Sequence, residues 1–366
     1  MKPKKIIFVH LLNDYSGSPK VLSQVIKAVQ KTGCEVELYT GKGGEGFLSR
    51  LTEKHHTYFY KRFENKYLTL VTFMLSQLSL FFKLLKYRNE EVLIYVNTLL
   101  PFGAALAGKV MGKSVCYHVH ETSLSPASFK RFLRSMVQKS ADRVIFVSKA
   151  LEEAEAFEGI PQEVVYNALP DDFMHTALEH LYSHRYDGNF NVLMVCSLKA
   201  YKGVDEFVHT AQLCQKESHI CFTLVLNAEQ SEIDDYFNQV QLPLNVTLVS
   251  RQTDLVPFYE RTNLLLNLSR PDQWVETFGL TIVEAMAFGI PVIVPPVGGP
   301  AEIVHEGVEG YCISSYETEK IAQTIKELAV DEKKCLGFSE AAKERAQDFG
   351  EKVFERKVRS ILGCRR

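Results

Sequence analysis

The apolar stretch WVETFGLTIVEAMAFGIPV (274–292) carries two glutamates, Glu276 and Glu284, eight positions apart. From Gly279 onward its residues are apolar or small apart from one threonine and Glu284, which predicts a helix buried nearly all round. Because an unpaired buried carboxylate is costly, Glu284 must be protonated, paired with a cation or kept for a ligand. Sugar and ribose hydroxyl groups suit a carboxylate, since it accepts hydrogen bonds from two neighbouring O–H groups at once.

Glu276 stands just before this predicted helix, where the backbone amides of Thr277, Phe278 and Gly279 point out of the helix start. Amides at a helix N-terminus bind a phosphate or a sugar oxygen without a Gly-rich phosphate loop. Each glutamate also has a structural alternative: a capping acid at the first position, and a carboxylate paired with Lys or Arg at the second. On this stretch alone, both interpretations stay open.

Two histidines, His118 and His120, alternate along the run VCYHVH (115–120), so their side chains share one face of a predicted strand. A histidine pair is half of a metal site. The sequence places no Asp-x-Asp motif and no third ligand nearby. We therefore expect no metal.

Short β-rich runs alternate with helical stretches along the chain, and these elements must position the residues above. Continuous apolar strands that alternate with helices are typical of a parallel sheet covered on both faces. We predict strands over 6–10, 36–40, 92–97, 115–120, 143–148 and 164–167, then over 191–197, 221–227, 246–250, 264–269, 291–296 and 310–314. This series predicts two doubly wound α/β domains in tandem, with ligands at the carboxyl ends of the strands in a crevice between the domains.

The composition agrees with two cytoplasmic domains. A chain of 366 residues exceeds what one hydrophobic core organises, and its eight cysteines form no C-x-x-C pair. No cleavage region follows the first apolar run, so we expect no signal peptide. Residues 1–165 hold 23 Lys and Arg against 15 Asp and Glu, whereas the rest hold 19 against 29. The basic first half indicates either an anionic partner or surface drift, and no motif points to nucleic acid.

The segment SRPDQWVETFGLTIVEAMAFGIPVIVPPVGGPAEIVHEGVEGY (269–311) resembles the donor-site region of glycosyltransferase family 4, the retaining nucleotide-sugar enzymes of GT-B fold. Its E-x7-E pair is the hallmark of that family. Similar segments elsewhere are SGSPKVLSQVIKAVQKTGCEVELYT (16–40), HVHETS (118–123), ADRVIFVSKAL (141–151), VVYNALP (164–170) and VCSLKAYKGVDEFVHTAQL (195–213). The resemblance implies an α/β protein of GT-B fold, with two Rossmann-like, doubly wound parallel-sheet domains facing an interdomain crevice.

The resemblance also implies how the chain divides. Residues 1–172 would form the N-terminal, acceptor-side domain, and a C-terminal helix at about 340–366 would pack back on it. Residues 173–339 would form the C-terminal domain, which binds the nucleotide-sugar donor.

Each matched residue takes an implied role from the family. Glu276 would contact hydroxyl groups of the donor sugar, Glu284 the ribose, and Lys202 the diphosphate. His120 would lie over the reacting sugar, which makes His120, Glu276 and Lys202 the catalytic set. The implied donor-binding residues are Gly17, Ser197, Lys199, Lys202, Arg251, Glu276, Thr277, Phe278, Gly279, Leu280 and Glu284. The implied acceptor-side residues are Ser16, Ser18, His118 and His120.

The phosphate segment departs from the family pattern. The family usually has Gly-Arg ahead of the Leu, where this chain has Cys196 and Ser197. One of two expected cations is therefore missing, and Lys199 or Arg270 would have to replace it. The first loop, SGSPKV (16–21), also differs from the commoner GGAE type, although a proline at a first helical position keeps the turn into the helix.

The segment YLTLVTFMLSQLSLFFKLLKYR (67–88) bears on the acceptor. It is strongly apolar, has basic residues at both ends, and is too polar and short for a confident membrane span. An interfacial helix and a buried core helix both fit. We favour an interfacial helix that contacts an anionic inner leaflet through about 61–88, which would place the protein on the inner face of the plasma membrane. A lipid-linked acceptor follows from that placement.

The sequence thus predicts a retaining glycosyltransferase that needs no metal or cofactor. It would move a sugar from a nucleotide-diphosphate sugar to a glycan or lipid-linked acceptor in bacterial surface polysaccharide assembly, such as capsule or O-antigen. The alternatives are a non-catalytic nucleotide-sugar-binding protein and a nucleotide-sugar epimerase of GT-B fold.

Overall fold

The computed structural model describes residues 3–122 and 124–364, and the chain divides into two compact units. Unit 1 comprises Met1–Asn167 with Lys352–Arg366, and unit 2 comprises Ala168–Glu351. The chain therefore passes from unit 1 into unit 2 after Asn167, whereas the sequence prediction ended the N-terminal domain at residue 172. Each unit holds one parallel sheet with helices around it, as the alternation of strands and helices predicts.

Unit 1 is built on a parallel seven-stranded sheet. Its strands are β1 (Lys5–Val9), β2 (Glu35–Gly41), β3 (His55–Tyr58), β4 (Val92–Asn97), β5 (Ser114–Val119), β6 (Arg143–Phe146) and β7 (Gln162–Val164). They lie in the order β3-β2-β1-β4-β5-β6-β7, so the strand order reverses between β1 and β4. The apolar run of β1 is buried on both faces, because the sheet is covered on both.

Two strands of this sheet differ from the sequence prediction. The edge strand β3 has the sequence HHTY, and its polar residues give no strand signal. The last strand is Gln162–Val164 rather than 164–167. The amide of Val165 still donates to the carbonyl of Phe146 in β6 at 2.8 Å, so the contact with β6 reaches one residue beyond the strand.

In the part of unit 1 that precedes unit 2 in the chain, the helices are α1 (Gly17–Gln30), α2 (Lys66–Leu84), α3 (Phe102–Val110), α4 (Ala127–Ser140) and α5 (Lys149–Glu155). Where α2 and α3 pack together, Gly103 brings their backbones into contact. A Cβ on Gly103 would overlap the carbonyl oxygen of Gln77, and the Gly103 amide donates to Oε1 of the same glutamine at 3.1 Å. The helix α2 is therefore held in the unit along one narrow face.

Unit 2 has a parallel six-stranded sheet in the order β10-β9-β8-β11-β12-β13. Its elements are α6 (Asp171–Glu179), β8 (Phe190–Cys196), α7 (Val204–Leu213), β9 (Ile220–Leu226), α8 (Gln230–Phe237), β10 (Val246–Val249), α9 (Val256–Tyr259), β11 (Leu264–Leu266), α10 (Leu280–Ala287), β12 (Val292–Val294), α11 (Gly298–Ile303), β13 (Gly310–Cys312), α12 (Thr318–Val330) and α13 (Glu332–Ala346). The strand order reverses between β8 and β11.

The C-terminal segment forms two helices rather than the single one predicted at about 340–366. The first is α13, which belongs to unit 2 and packs on α10. After a short turn the chain continues as α14 (Glu351–Ile361), which packs on unit 1. There Lys31 pairs with Glu355 at 2.5 Å, and Nε of Arg359 donates to the carbonyl of Ala28 at 3.0 Å. The return to unit 1 therefore begins near residue 351, because α13 packs within unit 2.

Replacing Gly103 by alanine should destabilise unit 1 by about 1–3 kcal/mol, because the added methyl overlaps the backbone of α2. The matched control is Gly337→Ala on α13, where an added Cβ meets nothing within 4 Å. That change should stabilise the protein by about 0.5–1 kcal/mol through helix propensity. Urea unfolding followed by circular dichroism measures both. A Gly103→Ala protein as stable as the wild type would contradict the close packing of α2 on α3.

Candidate functional site

Unit 2 brings two loops together where its strand order reverses. In doubly wound sheets, ligands bind at the carboxyl ends of the strands at this point. The first loop follows β8 and passes through the short helical turn Ala200–Lys202. The second follows β11 and ends at Gly279, the N-cap of α10. Lys202 lies on the first loop and Glu276 on the second.

An ion pair joins these loops. Nζ of Lys202 pairs with Oε2 of Glu276, and the hydroxyl of Ser269 donates to the same oxygen at 3.3 Å. Both charged side chains are partly accessible, with 16% and 22% of their surface exposed. The Lys202 ammonium also lies 5.2 Å from the ring centroid of Trp274, which stacks on Tyr201 at 5.0 Å. Two of the predicted catalytic residues are therefore in direct contact.

A glycine permits the loops to meet. Gly203 has a φ of 81°, and a Cβ there would overlap the carbonyl oxygen of Leu268 on the second loop. The backbone after Lys202 therefore lies directly against the residue that precedes Ser269. Only glycine fits this approach.

A second glycine contact fixes the backbone around Glu276. The amide of Gly299 donates to the carbonyl of Glu276 at 2.9 Å. A Cβ on Gly299 would lie 2.5 Å from Cα of Phe278, and one on Gly298 would lie 2.5 Å from the Glu276 carbonyl oxygen. The GGP sequence therefore packs on the backbone that leads into α10.

Glu284 is buried in α10, as its apolar neighbours predict, with 7% of its surface exposed. Its Oε2 accepts a hydrogen bond from the hydroxyl of Tyr259 at 2.8 Å. Burial and the nearby carboxylate hold the pKa of Tyr259 well above its usual value, so this hydroxyl stays a donor. Tyr259 carries no sequence signal, because it ends the short helix α9 in an ordinary apolar run. The buried acid thus has Tyr259 as a hydrogen-bond partner within the unit.

The remaining predicted donor residues differ in their surroundings. The Lys199 side chain is exposed and has no ion-pair partner among the described residues. Arg251 is exposed and bound to Asn227 at 2.7 Å and Glu229 at 2.9 Å. Burial raises the pKa of Cys196, beside Ser197, to about 12, so this position supplies a neutral thiol.

The sequence also suggests Arg270 as a cation for the diphosphate, but acids of α7 bind its side chain in the structure. Its guanidinium binds Glu206 at 2.7 Å and Asp205 at 3.1 Å, both on α7. These carboxylates already neutralise its charge. The first loop has two cations of its own: Lys199 has no ion-pair partner among the described residues, and Lys202 pairs with one carboxylate, that of Glu276.

Unit 1 gathers polar side chains at its own reversal point, between β1 and β4. Asn97, at the end of β4, is fully buried. Its Oδ1 lies 2.9 Å from Nε2 of His120, and its Nδ2 lies 3.2 Å from both Nδ1 of His10 and the carbonyl of Ser18. No sequence motif singles out His10 or Asn97, although both stand at the ends of adjacent apolar strands. The sheet order, which brings β1 beside β4, makes them neighbours.

His118 lies in the core rather than at a surface that faces a substrate. None of its surface is exposed, and its Nδ1 binds the hydroxyl of Tyr95 at 2.7 Å. Its ring lies 4.2 Å from that of His120, which is only partly buried. His118 therefore acts on His120 through packing. The predicted contact of His118 with an acceptor does not fit this burial.

The three histidines of this cluster are neutral. Burial lowers the pKa of His118 to about 3 and that of His10 to about 4. Burial and the neighbouring imidazoles lower the pKa of His120 well below its usual value. At neutral pH the cluster therefore offers uncharged donors and acceptors.

The chain enters α1 at the surface, where Ser16 is the N-cap and Gly17 and Ser18 begin the helix. The amide and hydroxyl of Ser16 both donate to Oδ1 of Asp14, at 2.9 and 2.5 Å. Gly17 is exposed, and a Cβ there would meet nothing within 4 Å, so packing within the chain does not require this glycine. Ser18 is anchored through its carbonyl to Asn97. Within residues 3–122 and 124–364, no three His, Cys, Asp or Glu side chains are arranged to hold a metal ion.

Family models match both halves of the chain. Residues 15–173 match the model described as Glycosyltransferase Family 4, and residues 183–345 match that described as Glycosyl transferases group 1. The capsular polysaccharide biosynthesis glycosyltransferase CapM of Staphylococcus aureus is 28% identical over 159 residues, which cover 42% of this chain and 40% of that protein. The chain spans about two fifths of the length of the first curated relatives it matches, 40% and 39%.

Solved structures resemble the whole chain. HepE from Anabaena, in a crystal structure with UDP, has a TM-score of 0.80 at 20% identity, covering 98% of this chain and 99% of that one. The lipopolysaccharide outer core galactosyltransferase WaaB, in its apo form, has a TM-score of 0.71 at 16% identity, covering 98% of each chain. These likenesses show the fold. With the two parallel-sheet units, they confirm the GT-B prediction.

The buried histidines should make unit 1 sensitive to acid. Their folded pKa values lie below the ordinary value of 6.5, so the unfolded chain binds more protons below pH 6.5 and stability falls as the pH is lowered towards about 4. His118→Phe should reduce the slope of the unfolding free energy by up to about 1.4 kcal/mol per pH unit, which is one proton. Urea unfolding measured across this pH range gives the slope.

Tyr95→Phe is the matched control, because it removes the same hydrogen bond but keeps the imidazole. It should lower stability without changing the slope. Glu121, whose pKa burial raises to about 7, contributes a slope of opposite sign that all three proteins share. An unchanged slope in His118→Phe would mean that His118 is not buried in its neutral form.

Proposed function

Because the chain belongs to glycosyltransferase family 4, we propose that it transfers a sugar from a nucleoside-diphosphate sugar to a glycan or lipid-linked acceptor, with retention at the anomeric carbon. The observation that carries this proposal is the pairing of Lys202 with Glu276 at the reversal point of unit 2. Similar proteins support sugar transfer from a nucleotide-sugar donor. CapM is named for capsular polysaccharide biosynthesis, and HepE has been crystallised with UDP and with UDP-glucose. We extend the proposal to surface polysaccharide assembly and to a UDP-sugar donor.

The ion pair keeps both side chains ready for a donor. Phosphate oxygens of the donor exchange with Glu276 at Nζ of Lys202, and the released carboxylate accepts hydrogen bonds from hydroxyl groups of the sugar. Lys202 then stays with the diphosphate as it leaves, where a fixed cation lowers the barrier most. Glu276 positions the sugar and is not a nucleophile in this proposal.

Groups around α10 complete the donor site. The amides of Thr277 to Leu280 lie at the N-terminal end of the helix, where the helix dipole favours phosphate. Glu284 accepts hydrogen bonds from the ribose hydroxyl groups, and its carboxylate is kept in place by the hydrogen bond from Tyr259. The leaving phosphate takes the acceptor proton on the same face of the sugar. These groups supply the charge stabilisation, so we propose transfer without a metal.

The acceptor-side residues form the second part of the proposal. In unit 1 we assign His120 to the reacting sugar, since it is the partly accessible member of the histidine cluster. Asn97 and His118 position its ring. Ser16, the N-cap of α1, and Ser18, in its first turn, stay as proposed acceptor contacts.

Nucleotide binding tests the donor site. UDP, GDP, dTDP and CDP are compared in a thermal-shift assay with and without EDTA. One nucleotide should stabilise the protein by about 2.7 kcal/mol at a concentration of 100 times Kd, and chelation should not change this. Glu284→Ala should abolish the shift. Glu309→Ala is the matched control, because it removes another buried acid of unit 2 that pairs with His305, and it should keep the shift.

Turnover separates an enzyme from a binding protein. Release of nucleoside diphosphate from the sugar donor is measured with a glycan acceptor. Lys202→Met should lower kcat about 100-fold, as for loss of one donor to a developing anion. Lys199→Met, on the same loop but exposed, should cost much less. Binding without turnover would favour the non-catalytic alternative, and release of an altered nucleotide sugar without an acceptor would favour the epimerase.

A further inference from the structure

The helix α2 turns an apolar face to solvent. Between its terminal lysines, Lys66 and Lys83, every exposed residue is apolar. These residues are Tyr67, Leu68, Leu70, Val71, Met74, Leu75, Leu78 and Phe82, and between 42% and 70% of each is exposed. At 3.6 residues per turn they share one side of the helix. Scattered exposed apolar residues are ordinary, but a continuous stripe marks an interaction surface. We call these eight residues the outer face.

The opposite side of α2 belongs to the core of unit 1. Phe73, Ser76, Gln77, Leu80 and Leu84 are buried. Gln77 is fixed to Gly103 of α3, as described above. The outer face therefore cannot turn inward without breaking this packing.

By length and composition, Lys66–Asn89 is the one stretch among the described residues that is apolar enough to cross a membrane, with a mean hydropathy of 1.7. One third of its most apolar window is buried inside the unit. A spanning helix would have to leave α3, whereas a helix lying along a surface keeps both its packing and its outer face. The geometry therefore favours a helix that lies on a surface.

Cations stand at both ends of the outer face. The segment 61–88 contains six basic residues, all exposed, and a single acid, Glu64. The basic residues are Lys61, Arg62, Lys66, Lys83, Lys86 and Arg88. The first group is tied to the helix, because Thr72 donates to the carbonyl of Lys61 at 2.6 Å and Thr69 to that of Phe63 at 2.8 Å. The charges therefore keep a fixed place beside the apolar stripe.

We propose that the outer face binds the surface of a bilayer that contains anionic lipids. The apolar side chains enter the boundary between headgroups and acyl chains, and the flanking cations contact the headgroup phosphates. A helix of 19 residues offers a contact about 28 Å long. A second copy of the chain fits less well, because a symmetric contact brings basic ends together with few acids to meet them. The inference concerns the surface of unit 1 and stands apart from sugar transfer.

Vesicle flotation of the full chain tests the apolar contact. The protein should float with vesicles of phosphatidylcholine and phosphatidylglycerol, and much less with phosphatidylcholine alone. The triple variant Val71→Ser, Leu75→Ser, Leu78→Ser should bind at least about tenfold more weakly, because it removes three apolar side chains from one stripe. The matched control is Leu181→Ser, Leu244→Ser, Val330→Ser in unit 2, where exposed apolar residues are likewise removed. It should bind like the wild type.

A second pair of variants tests the charges. Arg62→Gln with Arg88→Gln should weaken binding to the anionic vesicles about tenfold or more at low salt, and less at high salt. Lys216→Gln with Lys333→Gln, two exposed lysines of unit 2, should leave binding unchanged. Equal binding to both vesicle types would overturn the proposal, and so would full binding by the triple serine variant.

Light scattering tests whether a second copy of the chain, rather than a bilayer, covers the outer face. If the wild type is a dimer and the triple serine variant a monomer, the outer face pairs with a second copy, and the membrane proposal fails. Circular dichroism and the nucleotide-induced thermal shift of each variant show that it is folded. A protein that binds nucleotide but not vesicles would overturn this inference alone, and one that binds vesicles but not nucleotide would overturn only the proposed function.

Discussion

The backbone of Gly203 touches the backbone of Leu268, and the geometry of the candidate donor site depends on this contact. It sets the distance between the loops after β8 and β11, and therefore whether Lys202 can meet Glu276. Gly298 and Gly299, which follow β12, pack on the residues that lead into α10 and so fix the position of the second loop. Side chains at any of these positions would force the loops apart. The chemistry of the charged residues is therefore arranged by residues that have no side chain.

At the point where the strand order of each sheet reverses, the two units hold polar groups in different ways. In unit 2, the charged side chains near this point are paired, as Lys202 is with Glu276 and Arg270 with two acids. In unit 1, His10 and His118 are buried at this point, His120 is partly buried, and all three are neutral. Desolvation keeps the histidines uncharged, whereas the charged side chains on the loops of unit 2 are stabilised by pairing.

Much of this architecture follows from the sequence, because continuous apolar strands and a helix with a lone buried acid leave strong patterns. The polar edge strand β3 leaves none, since its stability comes from pairing with β2. Asn97 and His10 are likewise unmarked, because the order of strands in the sheet makes them neighbours. Tyr259 is unmarked because its partner, Glu284, lies on another helix 25 residues away in the chain. The single predicted C-terminal helix is two helices because α13 packs in one unit and α14 in the other. Periodicity along a helix gives its apolar face but not the unit on which that face packs.

The return of α14 to unit 1 also sets an order of assembly during synthesis. Unit 2 is one continuous stretch of chain and is complete once its last residue has been made. Unit 1 begins earlier, yet it lacks a covering helix until α14 supplies Phe354, Val358 and Ile361, which are buried in the finished fold. The part of the chain that leaves the ribosome first is therefore the part that closes last. During that interval the surface that Phe354, Val358 and Ile361 later cover stays open to water, and to any chaperone that binds exposed apolar surface.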